Sequence, residues 1–433
     1  MTTAPGPTAP SLNRSLGLTD AVVLGLAAMI GAGVFVVWAP AAQAAGSALL
    51  VGLGFAAVVA FCNATASAQL AAQYPTSGGT YVYGRERLGE WWGFAAGWSF
   101  VIGKTASCAA MALAFAAYAV PVEWQKPVAI AAVLALAALN YRGVTRTAAL
   151  ARVLIAVVLV VLVLVVVLGA ASGGVSGAAS GSMDAPALQT DWNWYGILQS
   201  AGLLFFAFAG YARIATMGEE VRDPQRTIPR AIVLALGITV VVYAAVAVVA
   251  IGSLGGGLAA STAPLRDVVT AAGAVWALPV VQLGAAAAAL GALLALIAGV
   301  GRTSLAMARE GDMPRWLAAV HPRFGVPHRA EVALALVVCV VVLLVDVRGA
   351  IGISAFGVLL YYVVANVAAF TQPAERRRYP RVLQVLGAAG CLVLVATLPL
   401  ESIVAGAVVL TLGVALRLLA RAVARGRSRR QQP

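Results

Sequence analysis

The chain has 433 residues, of which 62% are hydrophobic and only 10% charged, and it carries a formal net charge of +13. Soluble domains carry about 25% charged residues, so this composition excludes an ordinary soluble enzyme and points to an all-α polytopic membrane protein. The basic excess must then be read by position along the chain rather than as a total.

Residues 1–17 form a Pro/Thr/Ala-rich lead, expected to be disordered and cytoplasmic. It lacks the basic-then-apolar layout of a cleaved signal, so the first helix is expected to remain in the mature protein. A hydrocarbon core of about 30 Å takes about 20 apolar residues per helix. Segments of that kind run over 18–45, 47–73, 92–120, 127–139, 149–168, 195–218, 229–254, 276–307, 330–345, 349–371, 382–397 and 402–420. The expectation is twelve transmembrane helices, the fourth short unless 121–126 joins it. With both termini in the cytoplasm, 24 Lys and Arg fall on the cytoplasmic side and only Lys126, Arg266 and Arg348 outside. This asymmetry is the positive-inside rule, and it sets the orientation. The basic tail 421–433 then reads as a topology anchor against anionic membrane lipid, and no nucleic-acid partner is expected.

Cys62, Cys108, Cys339 and Cys391 are isolated within apolar segments, and the two histidines, His321 and His328, share one loop. No metal-ligand spacing results, so neither metal nor cofactor is expected, and no constellation of catalytic groups suggests an enzyme.

Two of the apolar segments are interrupted. One reads Met29-Ile30-Gly31-Ala32-Gly33-Val34-Phe35 and the other Phe206-Ala207-Phe208-Ala209-Gly210-Tyr211. Glycine costs a helix about 1 kcal/mol relative to alanine, and broken helices survive at membrane depth only where they line a cavity or meet a ligand. Counted at 1.5 Å per residue from their ends, both interruptions fall near the bilayer middle, in helices of opposite direction. A matched pair of this kind marks a transporter's binding site between inverted repeats. The half-helix N-terminus at Ile30, Gly31, Ala32 and Gly33 suits a carboxylate. The carbonyls around Phe206, Ala207, Phe208 and Gly210 suit an amine, and the Phe206 or Phe208 ring could close over the substrate. The competing reading is that Gly31 and Gly33 only let helices pack closely.

The flanking residues resemble one family. Met29–Phe35 is similar to the first-helix signature of the amino acid–polyamine–organocation transporters. The run Phe205–Tyr211, followed by Ile214-Ala215-Thr216-Met217-Gly218-Glu219-Glu220-Val221-Arg222-Asp223-Pro224-Gln225 and Ile228-Pro229-Arg230, resembles their sixth helix and the loop after it. Tyr74-Pro75-Thr76-Ser77-Gly78-Gly79-Thr80-Tyr81 looks like the loop before their third helix. Met307-Ala308-Arg309-Glu310-Gly311-Asp312-Met313-Pro314 and His321-Pro322-Arg323-Phe324 look like the loop after their eighth. Bacterial permeases resembling the cationic amino acid transporter branch match best. The resemblance implies the leucine-transporter fold: repeats 18–168 and 195–371 inverted within a core 18–371, helices 1 and 6 broken, helices 11 and 12 in 380–420, and an amino-acid substrate. Glu219, Glu220 and Arg213 are candidates for a cytoplasmic gate, set against a solvated loop whose salt bridges contribute about 0–1 kcal/mol each.

Sodium takes several oxygen ligands, and 284–300, in the eighth segment, contains no hydroxyl, amide or carboxylate. Relatives coupled to sodium draw hydroxyls from this helix, so sodium is disfavoured, the alternative being a site built from backbone carbonyls alone. Proton-coupled relatives place a lysine on helix 5 where this chain has Val158. Helix 3 instead carries Lys104, one of only two lysines beside 27 arginines. A buried lysine can exchange a proton near neutral pH, and an arginine cannot. Lys104 is therefore the proton-coupling candidate, against a structural lysine bonded to carbonyls of a broken helix. Arg213 either snorkels toward Glu219 or Glu220 or lines the inward path. Phe206, Phe208, Ser107, Ser354, Phe356 and Tyr361 could shape the pocket, and the two extra buried cations tilt the substrate toward neutral or acidic amino acids.

These features make the expected function secondary active transport of amino acids at the cell membrane, by proton symport or exchange. The alternative is a non-transporting sensor on the same scaffold. The loop 121–126 has no cysteine for a disulfide-linked accessory subunit, so none is expected.

Overall fold

Backbone inside a membrane must close its hydrogen bonds within the segment, which leaves helices as the available form for long Val/Leu/Ala runs. The computed structural model describes residues 16–74, 78–143, 148–173, 192–215 and 221–430, and their regular secondary structure is helical apart from a single bridge between Leu16 and Val221. The elements are α1 (Leu18–Met29), α2 (Gly33–Val36), α3 (Trp38–Ala45), α4 (Leu49–Gln73), α5 (Thr80–Leu88), α6 (Glu90–Ala119), α7 (Gln125–Tyr141) and α8 (Ala148–Ala171). They continue with α9 (Trp194–Phe208), α10 (Ala212–Ala215), α11 (Pro224–Leu254), α12 (Pro264–Ala271), α13 (Leu278–Arg309), α14 (His328–Leu344), α15 (Val347–Phe370), α16 (Arg381–Thr397) and α17 (Leu400–Arg430).

Among the described residues, nine helices are long and apolar enough to cross a membrane. The other three expected segments correspond to α9, α14 and α16, of 15, 17 and 17 residues. The short fourth segment gains its length from the chain before it, as Val122–Tyr141 forms one 20-residue stretch.

Burial ranks these helices. The spans over α6 and α15 are 78% and 72% buried, whereas those over α7 and Leu400–Leu419 are 11% and 22%. The first pair is the centre of the molecule and the second its rim. Small residues set the central contact: an ideal Cβ on Gly357 would stand 2.5 Å from the Gly103 nitrogen and 2.6 Å from the Ser99 carbonyl oxygen. Backbones approach this closely only where side chains are absent. One turn further along, the Ser107 and Ser354 hydroxyls bond at 2.7 Å.

Gly78 and Gly79 hold φ of +128° and +56°, a region open to glycine at no steric cost. They turn the chain from α4 into α5, which accounts for the Gly-Gly pair of the Tyr74–Tyr81 motif. The strand-like bridge has a positional role as well, because Arg222 N–H donates to the Leu16 carbonyl at 2.9 Å. That bond ties the start of α1 to the start of α11.

Candidate functional site

The first interruption covers Ile30, Gly31 and Ala32, where the chain leaves helical geometry between α1 and α2. Val37 keeps helical dihedrals (φ −72°, ψ −22°), so α2 and α3 form one bent rod starting at Gly33. The leading N–H groups of such a rod have no intrahelical acceptor. The second interruption is a tight 3₁₀ turn over Ala209, Gly210 and Tyr211, between α9 and α10. Phe206, Ala207 and Phe208 therefore close α9, and the break follows them. Ile30, Ala32, Phe206, Ala207 and Phe208 are all buried.

The two interruptions touch. An ideal Cβ on Gly210 would lie 2.1 Å from the Ala28 carbonyl oxygen and 2.5 Å from the Met29 nitrogen. The backbone of the second turn thus rests on the end of α1, and only glycine fits. Gly33 faces α9, with an ideal Cβ 3.1 Å from Ala207 Cα and 3.5 Å from the Phe206 ring. Gly31 has more room, its nearest neighbour being Ala292 Cβ at 3.4 Å.

Three tyrosines hold the crossing, and none of them was singled out from sequence for this role. Tyr243 of α11 places its hydroxyl 2.7 Å from the Met29 carbonyl and 3.1 Å from that of Ala207, one acceptor from each interrupted helix. Tyr118 of α6 donates to the Phe35 carbonyl at 2.7 Å and accepts from the Leu265 N–H at 3.1 Å. Tyr362 of α15 donates to the Ala209 carbonyl at 3.5 Å and stacks on Tyr211 with ring centroids 5.1 Å apart. The available signal was that a tyrosine deep in an apolar span needs a partner for its hydroxyl.

Lys104 reaches the same turn. Its part-buried ammonium donates to the Ala209 carbonyl at 3.4 Å, so one carbonyl of the second interruption collects both Lys104 and Tyr362. Ser107 and Ser354 bond to each other on the central contact. Phe356 and Tyr361 go elsewhere. Phe356 packs where a Gly406 side chain would stand, toward α17, and the Tyr361 hydroxyl accepts from the Thr80 N–H at 3.1 Å.

Two clefts open beside the crossing. One, of ≈ 10 Å³, is lined by Ala27, Ile30, Gly31, Leu154, Ile155, Val158 and Ala288. Its side chains are all apolar, including Val158. The other, of ≈ 70 Å³, is lined by Asn140, Arg213, Leu294, Ala295, Ala298, Gly299 and Arg302. Arg213 is thus placed on a cleft wall. Glu219 and Glu220, its expected gate companions, lie outside the described residues.

A charged cluster stands where α5, α6, α13 and α17 meet. Asp312 accepts from the Tyr81 hydroxyl at 3.0 Å and pairs with Arg85 at 3.4 Å and Arg417 at 2.6 Å. The side chains of Asp312 and Arg417 are 3% and 1% exposed. The Arg417 guanidinium also lies 4.4 Å from the ring centres of both Trp91 and Phe94, an arrangement in which cation–π attraction is strengthened by desolvation. Burial, and then the charge of Asp312, hold the Tyr81 phenol well above its ordinary range, so it stays a donor. Arg417 enters the sequence count only as one of the 24 cytoplasmic-side charges, and the structure makes it the end of a buried bridge. Its position inside the apolar segment 402–420 was the clue.

Interrupted helices that touch at Gly210 and Gly33, inside a bundle of membrane-length helices, fit a multi-pass membrane protein of the permease type. The chain belongs to the amino acid permease family, whose model matches residues 16–416. It is 57% identical over 407 residues to transporter Rv1999c of Mycobacterium tuberculosis (strain ATCC 25618 / H37Rv), covering 93% of this chain and 90% of the relative. It is 24% identical over 409 residues to the branched-chain amino acid permease BcaP of Bacillus subtilis (87% and 84% covered). With cationic amino acid transporter 4 of Homo sapiens it shares 28% over 375 residues, 81% of this chain and 58% of that longer protein. The resemblance of the sequence motifs to the amino acid–polyamine–organocation superfamily holds across the chain.

Proposed function

We propose that this permease is a secondary active transporter, not an enzyme, that moves amino acids across the cell membrane by alternating access, through proton-coupled symport or amino-acid exchange. In this reading twelve helices span the membrane with both termini cytoplasmic, and 18–168 and 195–371 are inverted repeats. The carrying observation is the contact of the two interruptions, with Gly210 seated on Ala28 and Met29 and one hydroxyl, that of Tyr243, on both helices. Relatives named as transporters, two of them for amino-acid substrates, support transport over sensing.

The substrate carboxylate takes the N–H groups of Gly31, Ala32 and Gly33, with Ile30 at the edge of the site, as an anion does at a helix start. The amine takes carbonyls between Phe206 and Gly210. A carbonyl already serving one donor keeps a second lone pair, so the bond from Tyr243 to Ala207 leaves room for it. Phe206, against Gly33, is the ring best placed to close over a bound molecule. Lys104 carries the coupled proton. Its bond to the Ala209 carbonyl sets it on the interrupted helix, a contact that a purely structural lysine would also make, and gradient-driven uptake by Lys104→Met decides between the two. The apolar lining around Gly31, Val158 and Ala288 supports a coupling ion other than sodium.

Uptake by the purified chain in liposomes tests this, with a labelled amino-acid panel and an imposed proton gradient, a sodium gradient, or unlabelled amino acid inside. Accumulation driven by inward protons is the expected result for a symporter. Uptake only against internal amino acid defines an exchanger, and silence across the panel would sink the proposal.

A further inference from the structure

At the depth of Lys104 the chain supplies a cation and no anion. Lys104 lies 12 residues into its apolar segment, counted from Trp92, or about 18 Å at 1.5 Å per residue. The twelve apolar segments hold only two acids, Asp20 and Glu331, each within three residues of a segment end. Asp20 pairs with Arg152 at 3.5 Å, and Glu331 packs against Gly301 and acts on Arg302. Glu219 and Glu220 come ten residues and more past Ala209 in the sequence. The helix facing Lys104 brings no acid either. In the contact of α6 with α15, Gly103 meets Val358 and Ser107 meets Ser354, which sets Lys104 level with Gly357, and 349–371 contains neither Asp nor Glu. The groups of α15 nearest in register are hydroxyls, those of Ser354 and Tyr362. On α6 itself the Cys108 thiol, one turn along, acts on the ammonium.

The hydrogen bonding of Lys104 is unfilled as well. An ammonium has three donors, and this one makes a single long bond, 3.4 Å to the Ala209 carbonyl. That carbonyl is shared with the Tyr362 hydroxyl at 3.5 Å. A lysine kept only to brace the turn closes its donors on carbonyls, because an unfilled buried charge is costly. Lys104 instead keeps accessible surface, while Ala209 and Cys108 beside it are closed off at 2% and 0% exposure.

We propose that the missing counter-ion belongs to the substrate: Lys104 takes the side-chain carboxylate of an acidic amino acid bound at the crossing of the interrupted helices. This rests on the proposed function, in which the substrate amine takes carbonyls between Phe206 and Gly210, the turn to which Lys104 is already bonded. Charge-assisted hydrogen bonds are about twice as strong as neutral ones, and the ammonium has donors free to make them. Glutamine and asparagine match the shapes of the acids but leave the ammonium uncompensated. Because the protonated lysine is the form that attracts a carboxylate, the proton and the acidic substrate favour each other's binding, a coupling that is reciprocal by necessity.

Isosteric pairs test this. The purified full chain in detergent is titrated calorimetrically with glutamate and glutamine, and with aspartate and asparagine, at one ionic strength. Each acid should bind about tenfold more tightly than its amide, the worth of a hydrogen bond to a charged group. Lys104→Met should abolish that preference, and Lys104→Arg, which keeps a positive charge, should retain most of it. The comparison on the parent chain needs no variant, so poor folding of Lys104→Met would not hide the answer. Amides that bind as tightly as the acids overturn the proposal, as does an acid preference unmoved by Lys104→Met. Chloride or nitrate alone stabilising the parent against heat as much as glutamate does would make the counter-ion an inorganic anion, and would overturn it too. In liposomes the two readings part. Uptake of glutamine and glutamate alike would overturn the acid site and leave transport standing, whereas acid-selective binding beside a silent uptake panel would overturn transport and leave the site.

Discussion

A methyl group added at Gly31 would meet Ala292 Cβ at 3.4 Å, an ordinary contact, whereas one added at Gly210 would sit 2.1 Å from the Ala28 carbonyl oxygen. The two interruptions look alike as sequence, each a glycine within an apolar run, yet they differ in what the glycine is for. At Gly210 the missing side chain is a packing requirement, because backbone presses on backbone and no rotamer change can relieve it. At Gly31 packing does not demand glycine, and its dihedrals are not of the positive-φ kind. Gly33 stands between these cases, 3.1 Å from Ala207. The packing and ligand readings of these glycines thus apply to different residues, and the comparison can be broken by experiment.

The largest effect belongs to Gly210→Ala. Overpacking against backbone costs about 3 kcal/mol or more, so little folded protein should survive detergent extraction on size-exclusion chromatography. Second comes Lys104→Met, which removes the ammonium from the Ala209 carbonyl but keeps a side chain of similar length. Proton-driven accumulation should vanish while exchange against internal amino acid persists. Full gradient-driven uptake by this variant would strip Lys104 of its coupling role. Third is Gly31→Ala, expected to leave thermal stability within about 0.5 kcal/mol of the parent and to cut uptake by tenfold or more, since one extra carbon in a fitted site commands about that much. A destabilised Gly31→Ala with normal transport per folded molecule would return Gly31 to the packing class. The smallest effect is that of Tyr243→Phe, which keeps the ring and deletes the hydroxyl. It should lower stability by about 1 kcal/mol, the usual net worth of a hydrogen bond, seen as a modest drop in melting temperature.

Much of the helical arrangement was legible because hydropathy over long windows needs no knowledge of partners. Glycine inside an apolar run likewise marked both interruptions. The register of the second break was less clear. Phe206-Ala207-Phe208 stays helical, and the turn begins at Ala209, because the crowding that forces the break comes from Ala28 and Met29, some 180 residues earlier. The supporting tyrosines were invisible for a related reason, since a hydroxyl's partner is a backbone carbonyl and carbonyls leave no trace in sequence. The role of Arg417 was hidden because counting charges by side ignores burial. Its bridge to Asp312 depends on Trp91 and Phe94 forming the walls around it.

Tyr243 has one hydroxyl proton and two carbonyls within reach, 2.7 Å away on Met29 and 3.1 Å away on Ala207. While the interrupted helices lie together, that single proton can be shared between them. Once they part, it can follow only one, and the abandoned carbonyl must find another donor. A separation of α1 from α9 therefore cannot be a smooth drift, because it contains a moment at which one bond is given up. An isotope label on the Met29 or Ala207 carbonyl would mark that moment as a jump in its stretching frequency, dating the opening of the crossing from inside the protein.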